Sequence, residues 1–207
     1  MENPNQPVIV AGVSGSLRPG SYTSLAVKLA LRGAELFGVQ TRYLDLREYD
    51  LPLFDDETQP PGLAQWRSDI EEADGLILGT PEYHGSFSGV LKNALDYLSF
   101  DEAEGKMIGL VGVSGGSMGA FDAMNGLRSV GRALHAWVVP QQAAVPEVWR
   151  VFDENRGIRD TEIERRLLEV GRQVARFAHL HKCGDIHGFL SDWEKAPVNP
   201  GGDAVSR

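Results

Sequence analysis

Five short apolar segments alternate with segments of helical periodicity along most of the chain. The strand-like segments are 6–14, 39–45, 73–79, 106–113 and 135–140. The helical segments are 21–37, 62–72, 87–98, 119–134 and 160–182. Alternation of this kind predicts a parallel sheet that is covered by helices on both faces. The predicted fold class is therefore α/β, a flavodoxin-like doubly wound sheet of five parallel strands in the order 2-1-3-4-5.

These elements belong to one predicted domain, which spans residues 1–183. After Cys183 the sequence becomes polar and rich in glycine and proline, which predicts an irregular tail over 184–207. Segment 46–61, between the second strand and the second helix, contains three prolines and is predicted to be a long loop.

Composition narrows the possible partners and the location. The chain of 207 residues has a formal net charge of −9, which argues against nucleic acid, because phosphate backbones require clustered Lys and Arg. A single cysteine excludes an intrachain disulfide, as is typical of a reducing compartment. No apolar run reaches the ~20 residues of a membrane helix, and residues 1–7 include no basic side chain. We therefore expect a cytoplasmic protein with no membrane partner.

The loop after the first predicted strand combines glycines, hydroxyls and one arginine. A strand–loop–helix connection aims backbone N–H groups and the positive end of the helix dipole at one point. Arg18 and the nearby hydroxyls complete a predicted phosphate pocket. The hydroxyl residues are Ser14, Ser16, Ser21 and Thr23, with Tyr22 between the last two. The loop lacks the Gly-Lys-Ser/Thr and Gly-x-Gly-x-x-Gly patterns, so a mononucleotide or flavin phosphate is favoured over the ligands of those motifs. The alternative is a turn that only caps a helix.

Two further loops are expected at the same edge of the sheet, where ligands of such folds bind. In the predicted loop 80–86, the rings of Tyr83 and His84 can contact a planar ligand, and backbone groups near Glu82 and Gly85 can bond a heteroaromatic edge. Ser86 is predicted to cap the following helix. Loop 114–119 contains three glycines, which allow a close backbone approach to a ligand. Phosphate, ring face and ring edge are the three parts of FMN that such loops would contact.

Several motifs in the same order and spacing resemble the NADPH-dependent FMN reductases, a family that includes azoreductases and quinone or chromate reductases. The resemblance extends over about 8–182. Its motifs are Gly15-Ser-Leu-Arg-Pro-Gly-Ser-Tyr-Thr23, Pro81-Glu-Tyr-His-Gly-Ser86 and Gly89-Val-Leu-Lys-Asn-Ala-Leu-Asp96. The last motif places Lys92 and Asp96 on the helix after the flavin loop.

The resemblance implies the cofactors, the reaction and the binding residues. The phosphate of FMN would be held by Ser14, Ser16, Arg18, Ser21 and Thr23. The isoalloxazine would be lined by Pro81, Glu82, Tyr83 and His84, and approached from the other side by Ser114, Gly115, Gly116 and Ser117. NADPH would pass a hydride to flavin N5, and free flavin, quinones or azo compounds would be the small-molecule acceptors. No catalytic side chain is required, and a homodimer or homotetramer is implied.

Two other functions are compatible with parts of the sequence. Gly112-Val-Ser-Gly-Gly116 matches the nucleophile elbow Gly-x-Ser-x-Gly, which would make Ser114 the nucleophile of a hydrolase. Its base would be one of three histidines and its acid one of two aspartates. These are His135, His179, His181, Asp122 and Asp160. The second alternative is a non-catalytic flavin-binding module for electron transfer, suggested by the acidic segment 46–61. No metal site is expected, because His179 and His181 cannot share a helix face at their spacing.

Overall fold

A single parallel sheet organises the computed structural model, which describes residues 7–183. The strands are β1 (Ile9–Ser14), β2 (Gln40–Leu44), β3 (Gly75–Tyr83), β4 (Ser86–Phe87), β5 (Met107–Val113) and β6 (Trp137–Val145). Five of them are parallel and follow the order β2-β1-β3-β5-β6, while the short β4 pairs antiparallel with β3. Counted along the parallel strands alone, this is the order 2-1-3-4-5, so the predicted fold class is confirmed.

Helices cover both faces of this sheet. They are α1 (Tyr22–Glu35), α2 (Leu63–Glu71), α3 (Gly89–Asp96), α4 (Phe100–Ala103), α5 (Phe121–Ala133), α6 (Val148–Val151) and α7 (Thr161–Cys183). Successive residues of β3 show the two-sided burial: Leu76 and Leu78 pack with α2, α3 and α5, whereas Ile77 packs with α1 and α7. Because both faces are buried, the central strands are continuous apolar runs rather than alternating ones.

Two glycines bring α1 and α7 into backbone contact. A Cβ on Gly171 of α7 would lie 1.8 Å from the carbonyl oxygen of Ala30, and a Cβ on Gly33 of α1 would lie 2.0 Å from the carbonyl oxygen of Leu168. This close crossing holds the C-terminal half of α1, the helix that follows the predicted phosphate loop, directly against α7.

Two strands extend further than the sequence predicted: β3, which runs on to Tyr83, and β6. The prediction ended the fifth parallel strand at Pro140, but β6 continues to Val145. A proline is tolerated there because β6 is an edge strand and its pairing with β5 is irregular between Ile108 and Leu110. The guanidinium of Arg128 donates to the carbonyl oxygens of Val139 and Pro140 at 3.2 and 3.1 Å, which satisfies the backbone at this irregularity.

Short elements also escaped the periodicity analysis. These are α4, α6 and a 3₁₀ turn over Leu46–Glu48 inside the predicted loop 46–61. Elements of three or four residues are too short to show a period.

The predicted tail 184–207 lies outside the described residues. Within residues 7–183, none of the helices combines the length and apolar character that a membrane span requires.

We expect Gly171→Ala to lower the free energy of unfolding by about 1–3 kcal/mol, measured by urea denaturation. The new methyl group meets backbone that cannot rotate away, and this clash outweighs the roughly 1 kcal/mol by which alanine is the better helix former. Gly89→Ala is the matched control, since nothing lies within 4 Å of a Cβ at this exposed first position of α3. Equal stability of the two variants would contradict the close α1–α7 crossing.

Candidate functional site

The carboxyl ends of β1, β3 and β5 surround a cavity of about 310 Å³, called the edge cavity below. Most of the predicted site residues line it: Ser16, Arg18, Ser21, Tyr22, Thr23, Pro81, Glu82, Tyr83, Ser114 and Gly115. Five predicted residues are outside its lining: Ser14, His84, Gly85, Gly116 and Ser117. Five lining residues were not predicted: Pro19, Gly20, Val113, Val148 and Arg156. The three predicted loops therefore meet at one site.

The loop after β1 is fixed to the centre of the sheet. The N–H of Gly15 donates to the carbonyl oxygen of Gly79 at 2.8 Å, which extends the β1–β3 ladder beyond the end of β1. The hydroxyl of Ser88 donates to the carbonyl oxygen of Gly15 at 2.7 Å and accepts from the N–H of Leu91 at 3.2 Å. One buried side chain thus holds the loop and begins α3. Ser88, not the predicted Ser86, is the cap of this helix.

Ser14 supports the same loop from beneath. Its hydroxyl accepts from the N–H of Ser16 at 3.4 Å and from the hydroxyl of Ser24 at 3.1 Å. Ser24 in turn accepts from the hydroxyl of Tyr43 at 2.8 Å. Ser14 is buried in this chain of hydroxyls, so it positions the loop and does not line the cavity.

The start of α1 both caps itself and faces the cavity. The hydroxyl of Ser21 accepts from the N–H of Thr23 at 3.1 Å, so this serine does cap α1. Ser21 also lines the edge cavity, so capping is not its only place in the structure. Within residues 7–183, the N–H groups of Leu17, Arg18 and Tyr22 have no hydrogen-bond acceptor. Arg18 and Tyr22 line the cavity, and the dipole of α1 adds positive potential there. An anion fits this end of the cavity.

The second loop is tighter than predicted. Instead of an open loop over 80–86, β3 runs on to Tyr83 and returns through a two-residue hairpin into β4. His84 and Gly85 have φ of 52° and 76°, the left-handed values of a type I′ turn, so they form the hairpin tip outside the cavity. The carboxylate of Glu82 accepts from the N–H of Ala123 at 3.1 Å and caps α5. Tyr83, 58% exposed, remains as the aromatic side chain of this wall.

The third loop is held by its own hydroxyl and by the end of β6. The Ser114 hydroxyl donates to the carbonyl oxygen of Gly116 at 2.8 Å, and the Ser114 N–H donates to the carbonyl oxygen of Val145 at 2.9 Å. Nothing lies within 4 Å of a Cβ built on Gly116, so this side of the loop is open. In the described part of the chain, the N–H groups of Gly115 and Ser117 have no acceptor. Gly115 lines the edge cavity, so its N–H is available to the polar edge of a ligand, whereas Ser117 lies outside the lining.

The geometry argues against a serine hydrolase. The hydroxyl of Ser114 donates to its own loop, and within residues 7–183 it has no hydrogen bond to a histidine. His135 stacks on Phe100 with ring centroids 4.2 Å apart, at the amino end of β6 and therefore at the opposite edge of the sheet. His181 lies beside Gly105, just before β5 begins, and His179 precedes it by half a turn of α7. Asp160 accepts from the first N–H groups of α7.

Comparisons with known proteins decide between the remaining functions. A sequence profile described as NADPH-dependent FMN reductase matches residues 8–150. The NADPH-dependent FMN reductase ArsH of Shigella flexneri is 30% identical over 179 residues, which cover 84% of this chain and 70% of that protein. This chain belongs to the NADPH-dependent FMN reductase family. An FMN-dependent NADPH-azoreductase of Staphylococcus aureus is 31% identical over 176 residues, covering 81% and 93% of the two chains.

Solved structures agree with the fold. The flavoenzyme NAD(P)H:(acceptor) oxidoreductase FerB from Paracoccus denitrificans superposes with a TM-score of 0.71 at 23% identity, over 84% of this chain and 98% of that one. A flavodoxin from the domain Archaea superposes with a TM-score of 0.59 at 14% identity, over 83% and 99% of the two chains. The predicted family, the oxidoreductase class and the dependence on FMN and NADPH are confirmed, and neither alternative function is favoured.

The residues of the edge cavity fit FMN. Hydroxyls, unpaired N–H groups and arginine side chains at one end match a phosphate, while Tyr83 and the loop of Ser114 match a ring and its polar edge. Arg156, which sequence reasoning missed, adds a second cation at the phosphate end. It comes from a turn far along the chain, where one arginine among many carries no local signal.

We expect Ser88→Ala to lower the free energy of unfolding by about 1–3 kcal/mol, since α3 loses its cap and the Gly15 carbonyl loses its donor. Thermal or urea unfolding followed by circular dichroism measures this. Ser86→Ala, at the exposed hairpin, is the control and should change stability by no more than about 0.5 kcal/mol. A larger loss from Ser86→Ala than from Ser88→Ala would show that the cap had been assigned to the wrong serine.

Proposed function

We propose that the edge cavity binds FMN in one orientation. The phosphate lies on the loop that includes Ser16, Arg18 and Ser21, against the N-terminus of α1. The isoalloxazine lies between Pro81–Tyr83 on one side and Ser114–Gly116 on the other. The observation that carries this proposal is that an anion site, an aromatic wall and a glycine wall line the same cavity.

In this proposal the protein binds and orients FMN, and no side chain transfers a proton. The chemistry that bound FMN would supply is acceptance of a hydride from NADPH and transfer of the electrons to a second molecule. The guanidinium of Arg18 neutralises the phosphate and fixes the cofactor along the cavity. The N–H group of Gly115 faces the polar ring edge, where a fixed donor stabilises the negative charge that a hydride brings.

The acceptor is a small molecule, and we propose a planar one. The wall that contains Tyr83 is only partly closed, because the ring of Tyr83 is 58% exposed, so the flavin face toward this wall would be the accessible one. NADPH and the acceptor would then occupy the same face in turn. Free flavin, quinones and azo compounds are planar and can stack there.

We also propose a homodimer or homotetramer. Large apolar side chains are exposed after the Ser114 loop, on α6 and on the edge strand β6: Met118, Phe121, Trp149 and Trp137, with exposed fractions of 80, 52, 56 and 64%. Such side chains favour protein contacts.

The proposed domain comprises residues 1–183, and the proposed location is the cytoplasm, where a chain with one cysteine stays reduced.

An anaerobic titration with NADPH tests the reaction class. Purified protein reconstituted with FMN should lose its visible flavin absorption in proportion to the NADPH added, and regain it when a quinone is supplied. A protein that binds FMN but is not bleached by NADPH would contradict the proposed reaction while leaving the cofactor site intact.

Arg18→Ala tests the orientation of FMN. Removing a charged hydrogen bond to phosphate should weaken FMN binding by about 1.5–3 kcal/mol, or roughly 10- to 150-fold in Kd. Quenching of flavin fluorescence measures the Kd. Arg176→Ala, which changes an exposed arginine on α7 beside Phe177, is the control and should bind FMN as the unchanged protein does. Unchanged affinity in Arg18→Ala would remove this arginine from the phosphate site.

A further inference from the structure

We infer that Arg156 is a second cationic ligand of the FMN phosphate and holds it from the side opposite the phosphate loop. This inference rests on the proposed function, because it requires the phosphate to lie at the α1 end of the edge cavity. Neither the sequence patterns nor the family motifs include this arginine, which follows the last strand of the sheet.

A small hairpin holds Arg156 in place. Phe152 and Ile158 pair as an isolated antiparallel bridge, and the residues between them form a turn closed by Asp153. The N–H of Asp153 donates to the carbonyl oxygen of Gly157 at 2.8 Å, and the Asp153 carboxylate accepts from the Gly157 N–H at 2.7 Å. The N–H of Arg156 donates to the carbonyl oxygen of Asp153 at 2.9 Å. Phe152 is only 2% exposed, so the hairpin is anchored in the core.

This hairpin is attached to the phosphate loop by ring packing and by the guanidinium itself. The rings of Phe152 and Tyr22 lie 5.3 Å apart between centroids. The guanidinium of Arg156 lies directly over Gly20, where a Cβ would stand 1.6 Å from Nη1. Gly20 also has a left-handed φ of 62°. Glycine at this position therefore serves both the turn of the loop and the approach of the arginine.

The backbone of Arg156 is strained. Its φ of 65° lies in the left-handed region, which is uncommon for residues other than glycine, asparagine and aspartate. Conformations of this kind persist where surrounding structure imposes them, and they are concentrated at binding sites. This left-handed backbone belongs to an exposed turn residue whose side chain lines the edge cavity together with Arg18.

Among residues 7–183, no carboxylate pairs with the charge of Arg156. In the described range 7–183, neither Arg156 nor Arg18 has a carboxylate within ion-pair distance, although the chain carries a net charge of −9. Two uncompensated guanidinium groups on one cavity favour a doubly charged anion. A phosphate monoester carries about −1.5 to −2 charges near neutral pH and accepts hydrogen bonds on three oxygens. Arginine binds such a group in a planar, bidentate manner.

Two phosphate monoesters reach this enzyme, the 5′-phosphate of FMN and the 2′-phosphate of NADPH. Contact with Gly20 favours FMN, because Gly20 belongs to the loop whose unpaired N–H groups and helix dipole form the anion site. Arg156 also borders a second groove of about 560 Å³, which includes Lys28 and Arg32 and could face the other phosphate. The experiment must therefore separate the two sources.

Arg156→Gln, compared for FMN and riboflavin, tests the inference. Removing the charge should raise the Kd for FMN by about tenfold or more, as expected for one charged hydrogen bond, and leave the Kd for riboflavin within about twofold. Fluorescence quenching of the two flavins by the apoprotein measures both values. Arg156→Lys should recover part of the FMN affinity, because the charge remains and the bidentate geometry is lost. Arg159→Gln, an exposed change three residues further along, is the control and should match the unchanged protein.

The outcomes separate this inference from the proposed function. If the unchanged protein does not bind FMN at all, the proposed function fails and the inference fails with it. If the unchanged protein binds FMN and Arg156→Gln binds it equally well, only the inference fails. A raised KM for NADPH with an unchanged KM for NADH and unchanged FMN affinity would assign Arg156 to the 2′-phosphate and overturn its assignment to FMN. Equal weakening of FMN and riboflavin binding would likewise overturn a contact with phosphate.

Discussion

The hydrogen bond between the N–H of Gly15 and the carbonyl oxygen of Gly79, at 2.8 Å, is the contact on which the site depends. The bond lies at the point where the strand order reverses, between the neighbouring strands β1 and β3. The chain continues from β1 into α1 on one face of the sheet, and from β3 through β4 into α3 on the other face. Ser88 reinforces the hydrogen bond by bonding Gly15 from the start of α3. With these contacts in place, the phosphate loop and the Pro81–Tyr83 wall are both positioned by the central strand of the sheet.

Most of the fold could be predicted because burial on both faces of the sheet leaves long apolar runs, as in Leu76–Leu78. The errors occurred where a local signal was outweighed by tertiary context. Pro81 and Pro140 both indicate the end of a strand, yet both lie inside one. Beyond Gly79, β3 has no β1 partner on one side, and β6 is an edge strand. In each case a residue without an N–H is tolerated because that N–H would have had few partners.

The sequence predicts where the site lies, but not which of its residues face a ligand and which support the protein's own structure. Hydroxyls and glycines indicate three ligand-binding loops, and ten of the predicted residues line one cavity. The sequence pattern does not show which hydroxyls are hydrogen-bonded within the protein and which are free to contact a ligand. Ser14 supports the loop from beneath, and the Glu82 carboxylate caps α5. Arg156 could not be predicted, since its approach to Gly20 depends on packing of the Phe152–Ile158 hairpin against the phosphate loop and α1, which are remote from it in sequence. Long-range contact, not local composition, places this charge.

A crystal structure of the protein with FMN tests the central claim most directly. The account predicts one FMN per chain in the edge cavity, with its phosphate at the N-terminus of α1 and its ring system between the Tyr83 hairpin and the Ser114 loop. FMN bound at another surface would contradict the account, and so would FMN in this cavity with the phosphate at the Ser114 end. A cavity that stays without FMN, in crystals of protein that binds it in solution, would contradict the account equally.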